Sequence, residues 1–262
     1  ILKWKGLKPT SGIQEAARRS RYDMMLSWCK ENNVKKLFLA HHMDDQVETF
    51  LMRLSKGSGI DGLSSMSKKS NKENINIIRP FLEIPKVKLV EIANFSKMEW
   101  ISDPSNSNLS YQRSRIRKLI PILSKEGIDS HHINLAIKRM DSAKDTLVKI
   151  TNRGISKYVK NMEDIAYSLS YEAIDELSSE ILLRILDRVI MVSSGSIYPP
   201  RRAKVESILS WLRSDSKVTA KTLSGTVIRK RKDYIIFYRE LKSSQRSPNI
   251  YPLTNRYLSW DN

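Results

Sequence analysis

The first 60 residues alternate between helical and strand-like spacing of apolar positions. Residues 11–33 have helical spacing, with Ser11 as a cap and Asn32-Asn33 as the end. Residues 34–40, VKKLFLA, predict a buried strand. A second helix is predicted from about Asp45 to Lys56. Its apolar face comprises Val47, Phe50, Leu51 and Leu54.

The next 45 residues continue this rhythm. Gly57-Ser58-Gly59 ends the second helix, and a polar loop leads to IIRPFLEIP. Pro85 begins another helix, whose apolar face comprises Leu89, Ile92 and Ala93. A short strand is predicted over residues 98–102. Alternating strands and helices favour an α/β domain with a parallel sheet.

The pattern changes after about Gly127. Residues 129–213 have mostly helical spacing, interrupted at Gly195 and Pro199-Pro200, and residues 217–240 predict a hairpin that turns at Lys232-Asp233. We therefore expect an α/β domain over 1–127, a mainly helical domain ending in a β-hairpin over 128–242, and a tail over 243–262. No apolar run is long enough to span a membrane, and no membrane partner is expected.

Charge suggests a polyanionic partner. The chain of 262 residues has 46 Lys or Arg and 28 Asp or Glu, a formal net charge of +18. Such an excess favours nucleic-acid binding, although a lysine-rich composition without functional meaning is the alternative. Cys29 is the only cysteine, so neither an intrachain disulfide nor a thiolate zinc cluster is expected, which fits a cytoplasmic location.

The most informative segment is HHMDDQVET, residues 41–49, between the predicted strand 34–40 and the second helix. In open α/β sheets, ligands bind at the carboxyl ends of strands, where a helix N-terminus also favours anions. Two carboxylates and two imidazoles there can hold magnesium and contact phosphates. The alternative is a capping box made by Asp45 and Glu48, which leaves the two histidines and Asp44 unexplained.

The segment HHMDDQVETFLMRLSKGSGIDGLSSM resembles the HHxDDQxET…RGSGxxGLxxM signature of tRNA(Ile)-lysidine synthetases, members of the N-type ATP pyrophosphatase superfamily. Further segments are similar in the same order: KPTSGIQEAARRSRY, IIRPFLEIPKVKL, WISDPSNSNLSYQRSRIRKLIP, YPPRRAKVESIL and KTLSGTVIRKR. The resemblance spans residues 1 to about 240. It implies an adenine-nucleotide-binding domain followed by a tRNA-binding domain.

The resemblance also implies a reaction. The family uses ATP and Mg²⁺ to form an adenylate at O2 of the wobble cytidine of an isoleucine tRNA with a CAU anticodon. The ε-amino group of free L-lysine then attacks carbon 2 and expels AMP. The family's SGGxDS phosphate loop is absent from this chain, which begins at Ile1. We expect the natural N-terminus to lie upstream and the chain without that loop to be inactive.

The resemblance and the residue chemistry together predict the site residues. Catalytic roles are expected for Asp45, as a partial magnesium site, and for His41, Arg113 and Arg117. ATP or phosphate contacts are expected from His42, Asp44, Gln46, Glu48, Gly57, Ser58 and Gly59. Substrate contacts are expected from Arg18, Arg21 and Arg115, and tRNA contacts from Lys118, Arg229, Lys230, Arg231 and Lys232.

Two other functions are considered. Another tRNA-modifying enzyme of the superfamily, such as a thiolase, typically uses paired cysteines, which a chain with Cys29 alone does not provide. A nonenzymatic RNA-binding remnant is the alternative from a different class, and the missing phosphate loop favours it. The basic segment 201–242, with 12 Lys or Arg and 4 Asp or Glu, fits tRNA binding in either case. A homodimer is an open expectation.

Overall fold

A computed structural model describes residue 2 and residues 13–99, 108–163 and 165–240. Its first helix, α1 (Ile13–Glu31), buries Leu26 and Cys29 against Ile75, as the apolar spacing predicted. The predicted cap, Ser11, lies outside the described residues. Strand β1 (Lys36–Phe38) follows, shorter than predicted and not buried, since Lys36 and Phe38 are exposed. Helix α2 (Met43–Leu54) comes next and begins two residues earlier than predicted.

The first sheet has the order β1-β3-β2. Its β2 (Lys69–Lys72) and β3 (Ile75–Ile78) form an antiparallel hairpin, and β3 pairs in parallel with β1. The parallel pairing confirms the predicted α/β class. The prediction of a polar loop before IIRPFLEIP is wrong, because that segment forms this hairpin and a short helix, α3 (Ile60–Leu63).

Helices complete this part of the chain. Pro85 precedes α4 (Lys86–Phe95), as predicted, although Ile92 on its apolar face is largely exposed. Then follow α5 (Gln112–Lys125) and α6 (Ser130–Tyr158). Met98 and Glu99 do not form the predicted strand, and the rest of that segment lies outside the described residues.

The described residues divide into two units between Lys144 and Asp145, inside α6. The sequence placed the boundary near residue 127, where continuous helical spacing begins. The first half of α6 nevertheless belongs to the first unit, because Ile133 and Ile137 pack with the buried Val47 of α2.

The second unit contains more β-structure than the sequence indicated. Strands β4 (Val159–Met162) and β5 (Ala166–Ser170) interrupt the region that was predicted to be helical to residue 213. Helices α7 (Glu172–Glu176), α8 (Ser179–Ser194) and α9 (Arg202–Arg213) follow. Many of the buried residues of α8 and α9 pack against one face of the sheet and form a single hydrophobic core with it.

The predicted terminal hairpin has three strands instead of two. They are β6 (Ala220–Leu223), β7 (Thr226–Lys230) and β8 (Tyr234–Arg239), and the full sheet has the order β4-β5-β8-β7-β6. The turn between β7 and β8 includes Lys232-Asp233, as predicted. Across the described ranges, no helix is long and apolar enough to cross a bilayer.

Candidate active site

The segment between β1 and α2 places two histidines at the carboxyl end of a parallel strand. His42 is the N-cap of α2, and its backbone N–H donates to Asp45 Oδ2 at 3.0 Å. Asp45 is therefore the third residue of the helix and not its cap. The capping box that the sequence suggested for Asp45 and Glu48 is wrong, because the helix begins at Met43 and Glu48 lies beyond the first turn.

Two acidic residues of α2 and two arginines of α5 form an ion cluster. Glu48 is only 1% exposed and accepts hydrogen bonds from Nε of Arg113 at 2.6 Å and from Nε of Arg117 at 2.7 Å. Arg113 Nη2 also lies 3.3 Å from Asp45 Oδ1. The cluster joins residues 65 to 69 positions apart in the chain.

Helix geometry selects which members of the arginine run join this cluster. Arg113 and Arg117 are four residues apart and so lie on one face of α5. Arg115 lies between them and instead donates to the backbone oxygens of Leu109 and Ser110 at 2.9 and 2.8 Å. Lys118 is exposed. The hydrogen bond that Arg117 donates to Glu48 raises the pKa of Arg117, which keeps this guanidinium cationic.

His41 is held as a neutral imidazole. Burial, opposed by the charge of Asp45 and assisted by the positive charge of Arg18, lowers its pKa to about 4. Its Nδ1 is buried and makes no hydrogen bond with the described part of the chain. A neutral imidazole has one nitrogen that donates and one that accepts, so His41 can make a hydrogen bond of either kind with a substrate near pH 7.

Asp44 and Gln46 connect α2 to neighbouring segments. Asp44 Oδ2 accepts a hydrogen bond from the backbone N–H of Lys86, at the start of α4, at 2.8 Å. The interaction with His42, followed by this backbone bond, lowers the pKa of Asp44 to about 2. The buried side chain of Gln46 makes two hydrogen bonds with the backbone of Met66, at 2.7 and 2.8 Å. These contacts give both residues structural roles, and their phosphate contacts stay predictions.

The glycine-rich segment lies at the other end of α2. Gly57 follows that helix with a φ of +68°, and Gly59 is the N-cap of α3. Leu54 ends α2 nine residues after Asp45, which corresponds to roughly 14 Å along the helix axis, and the chain turns after it. The phosphate contacts expected from Gly57, Ser58 and Gly59 stay predictions.

The sequence interpretation missed two structural residues in this segment. Arg53 Nη1 donates to the backbone oxygens of Gly62 and Ser65 at 2.8 and 3.1 Å. A Cβ atom added at Gly62 would lie 2.5 Å from the Cβ of Ser58, so the close turn requires glycine. Ser58 is only four residues before Gly62, so the close approach depends on how tightly the chain turns into α3, which residue spacing does not reveal.

The predicted arginines of α1 have different surroundings. Arg18 is half-buried, lies over the ring of Tyr22 at 5.1 Å and contributes to the electrostatics of His41. Arg21 is exposed, and no described contact brings it to the Asp45 cluster. The structure thus places Arg18, but not Arg21, near the predicted catalytic residues.

A magnesium site in the described ranges would rest on few ligands. No group of three or more His, Cys, Asp or Glu side chains is arranged there to hold a metal ion. Magnesium held mainly by nucleotide phosphates needs only one or two protein carboxylates, however. Asp45, with its carboxylate 16% exposed, fits that limited role.

The basic residues of the last hairpin differ in accessibility. Arg231 and Lys232 are exposed in the turn between β7 and β8. Lys230 instead lies over the ring of Trp211 at 5.2 Å and donates to the backbone oxygen of Ser214 at 2.6 Å. Arg229 is half-buried. Only part of the predicted basic cluster therefore faces solvent.

One protein family and several curated relatives match this chain. The PP-loop domain family matches residues 3–123, a range that includes α2, the Asp45 cluster and all but two residues of α5. The tRNA(Ile)-lysidine synthase of Wolbachia sp. subsp. Brugia malayi is 37% identical over 264 residues, and that of Wolbachia pipientis wMel is 38% identical. Both alignments cover 100% of this chain and 61% of the relative.

A third relative covers more of its own length. The tRNA(Ile)-lysidine synthase of Rhodopseudomonas palustris is 32% identical over 239 residues, or 87% of this chain and 68% of the relative. This chain belongs to the tRNA(Ile)-lysidine synthase family. The expected family resemblance is thereby confirmed. The chain spans about three fifths of the length of the two Wolbachia tRNA(Ile)-lysidine synthases.

Proposed function

We propose that this chain is part of a cytoplasmic enzyme that uses ATP to convert the wobble cytidine of an isoleucine tRNA into lysidine, with free L-lysine as the second substrate. Family membership and the PP-loop match support ATP use and action on tRNA. The observation that carries the proposal is the cluster of Asp45, Glu48, Arg113 and Arg117 at the N-terminal end of α2.

The cluster suits the release of pyrophosphate. Arg113 and Arg117 are 33% and 42% exposed, although Glu48 holds each Nε. The outer guanidinium nitrogens of Arg117 make no hydrogen bond with the described residues and are available to an anion. Arginines placed where negative charge develops stabilise phosphoryl and adenylyl transfer. We assign Arg113 and Arg117 to the leaving pyrophosphate.

Asp45 and His41 complete this assignment. Asp45 would hold the magnesium that accompanies ATP, and such an ion neutralises phosphate charge during adenylation. His41 is neutral at physiological pH, so its imidazole can accept a hydrogen bond from the lysine ε-amino group and orient that group towards carbon 2. Glu48 orients the two arginines, which is a different role from the phosphate contact expected from sequence.

The test is lysidine formation by the chain expressed within its full reading frame. Labelled L-lysine should enter an isoleucine tRNA with a CAU anticodon only when ATP is present. Absence of incorporation, with a folded protein that still binds this tRNA, would support the second candidate, a nonenzymatic RNA-binding protein. The net charge of +18 is the observation that favours that candidate.

A further inference from the structure

One face of the five-stranded sheet is separate from the core of the second unit. Strand β8 occupies the middle of the order β4-β5-β8-β7-β6. Its Ile235 and Phe237 are fully buried in the core with α8 and α9. Because successive strand residues point to opposite faces, Tyr234, Ile236 and Tyr238 lie on the other face.

The neighbouring strands give this face its shape. On the β5 side, Ser170, Ser168 and Ala166 pair with Tyr234, Ile236 and Tyr238, respectively. These small side chains do not rise above the tyrosine rings. The two rings are four residues apart on one strand, or roughly 14 Å. Each ring therefore has space for its own planar partner.

The packing of this unit leaves the face without a described helix. The half-buried Tyr234, Ile236 and Tyr238 are not among the apolar side chains that pack against the core. Helix α8 packs against β5, β7 and β8 from the core side. Within the described ranges, the tyrosine face is therefore the outer face of the sheet.

Basic side chains border the face. Four residues on adjacent strands form one row across β4, β5, β8 and β7: Lys160, Ser168, Ile236 and Arg229. One row across the sheet thus has a cation near each end. The Nε of Arg229 is buried and makes no hydrogen bond with the described residues. None of the strand residues that share this face is acidic.

We propose that this face binds an unpaired segment of RNA, with bases stacked on Tyr234 and Tyr238 and phosphates near Lys160 and Arg229. Aromatic side chains on an open sheet stack unpaired bases, and bordering cations follow the phosphate backbone. The absence of acidic residues suits this polyanion. The identity of the RNA as a tRNA rests on the proposed function, whereas the binding face does not.

The full chain is tested with a fluorescently labelled oligouridylate, which supplies unpaired bases and phosphates. Tyr234→Ala and Tyr238→Ala should each weaken binding roughly 5- to 150-fold, which corresponds to about 1–3 kcal/mol per stacked base. Tyr234→Phe and Tyr238→Phe keep the ring and should bind nearly as the unmodified chain does. Tyr198→Ala is the matched control, because Tyr198 is exposed before α9 and lies outside the sheet.

If an alanine variant unfolds, Tyr234→Leu and Tyr238→Leu replace it in the test, since leucine keeps apolar volume without a stacking ring. Unchanged affinity in folded alanine or leucine variants would overturn the inference, as expected for a face that binds a protein instead. Lysidine assays separate this result from the proposed function. Tyrosine-dependent oligouridylate binding without lysidine formation would contradict only the catalytic proposal. Lysidine formation with tyrosine-independent binding would contradict only the inference about the face.

Discussion

Glu48 and Arg117 join α2 to α5 through a hydrogen bond of 2.7 Å from the arginine Nε to a carboxylate that is only 1% exposed. A buried carboxylate is costly unless it is paired, and here two guanidinium groups pair with it. The same bonds fix the direction of the arginine side chains. Folding and the proposed chemistry therefore depend on one residue.

Glu48→Gln should lower the free energy of unfolding by about 1–3 kcal/mol, because the amide oxygen can accept only one of the two arginine bonds and the amide nitrogen cannot accept the other. Urea denaturation measures this change. Glu83→Gln is the control, since the carboxylate of Glu83 is 42% exposed and its pairs with Lys68 and Lys138 should contribute about 1 kcal/mol or less. Equal losses for the two variants would contradict the structural role of Glu48.

The His41 imidazole should make the protein less stable in mild acid. Burial lowers its folded-state pKa from 6.5 to about 4, so the unfolded chain binds the proton first as the pH falls. The free energy of unfolding should be greatest above pH 6.5 and decline towards pH 4. Urea denaturation across this range should show a smaller decline for His41→Gln. Identical pH profiles would contradict a buried, neutral His41.

Gly62→Ala should destabilise the turn after α2 by about 1–3 kcal/mol, because the new Cβ would lie 2.5 Å from the Cβ of Ser58. Gly59→Ala is the matched control: its added Cβ meets nothing within 4 Å, and only a small loss at the helix cap is expected. Thermal denaturation compares the two. A larger loss of thermal stability in Gly59→Ala than in Gly62→Ala would show that the close approach to Ser58 does not determine the stability of this turn.

Within the hairpin, the exposed turn between β7 and β8 should make most of the phosphate contacts, and so contribute most to the salt dependence of tRNA affinity. Replacing Arg231 and Lys232 with serine should reduce the slope of log K against log salt by up to about 0.7–0.9 per lost phosphate contact. Lys230→Ser should change the slope less, because this lysine is engaged by Trp211 and Ser214. An unchanged slope in the double variant would place tRNA elsewhere.

The sequence was sufficient where a signal was local. The apolar run before His41 and the helical spacing after Asp45 predicted the strand-to-helix junction, which α2 confirms. The Glu73-Asn74 turn was missed because both residues have positive φ although neither is glycine. The Ser224-Gly225 turn, which separates β6 from β7, was also missed, although its glycine was a usable signal.

The contacts of the site could not be predicted in the same way. Nothing in the spacing around Glu48 indicates that it pairs with arginines 65 and 69 positions later. The bonds between Gln46 and Met66 depend likewise on how the chain folds back. Family resemblance supplied the residue types of the site, and the structure supplies their partners.

The most direct test of the account is pyrophosphate release by Asp45→Asn, measured with ATP and an isoleucine tRNA in the full reading frame. Asparagine keeps an oxygen for the His42 backbone, so folding should change by only about 1 kcal/mol, and tRNA affinity should be nearly unchanged. We expect release to fall by about 100-fold or more, as when charge stabilisation is removed from a transition state. Release at the rate of the unmodified protein, from a folded variant, would contradict a catalytic site at Asp45.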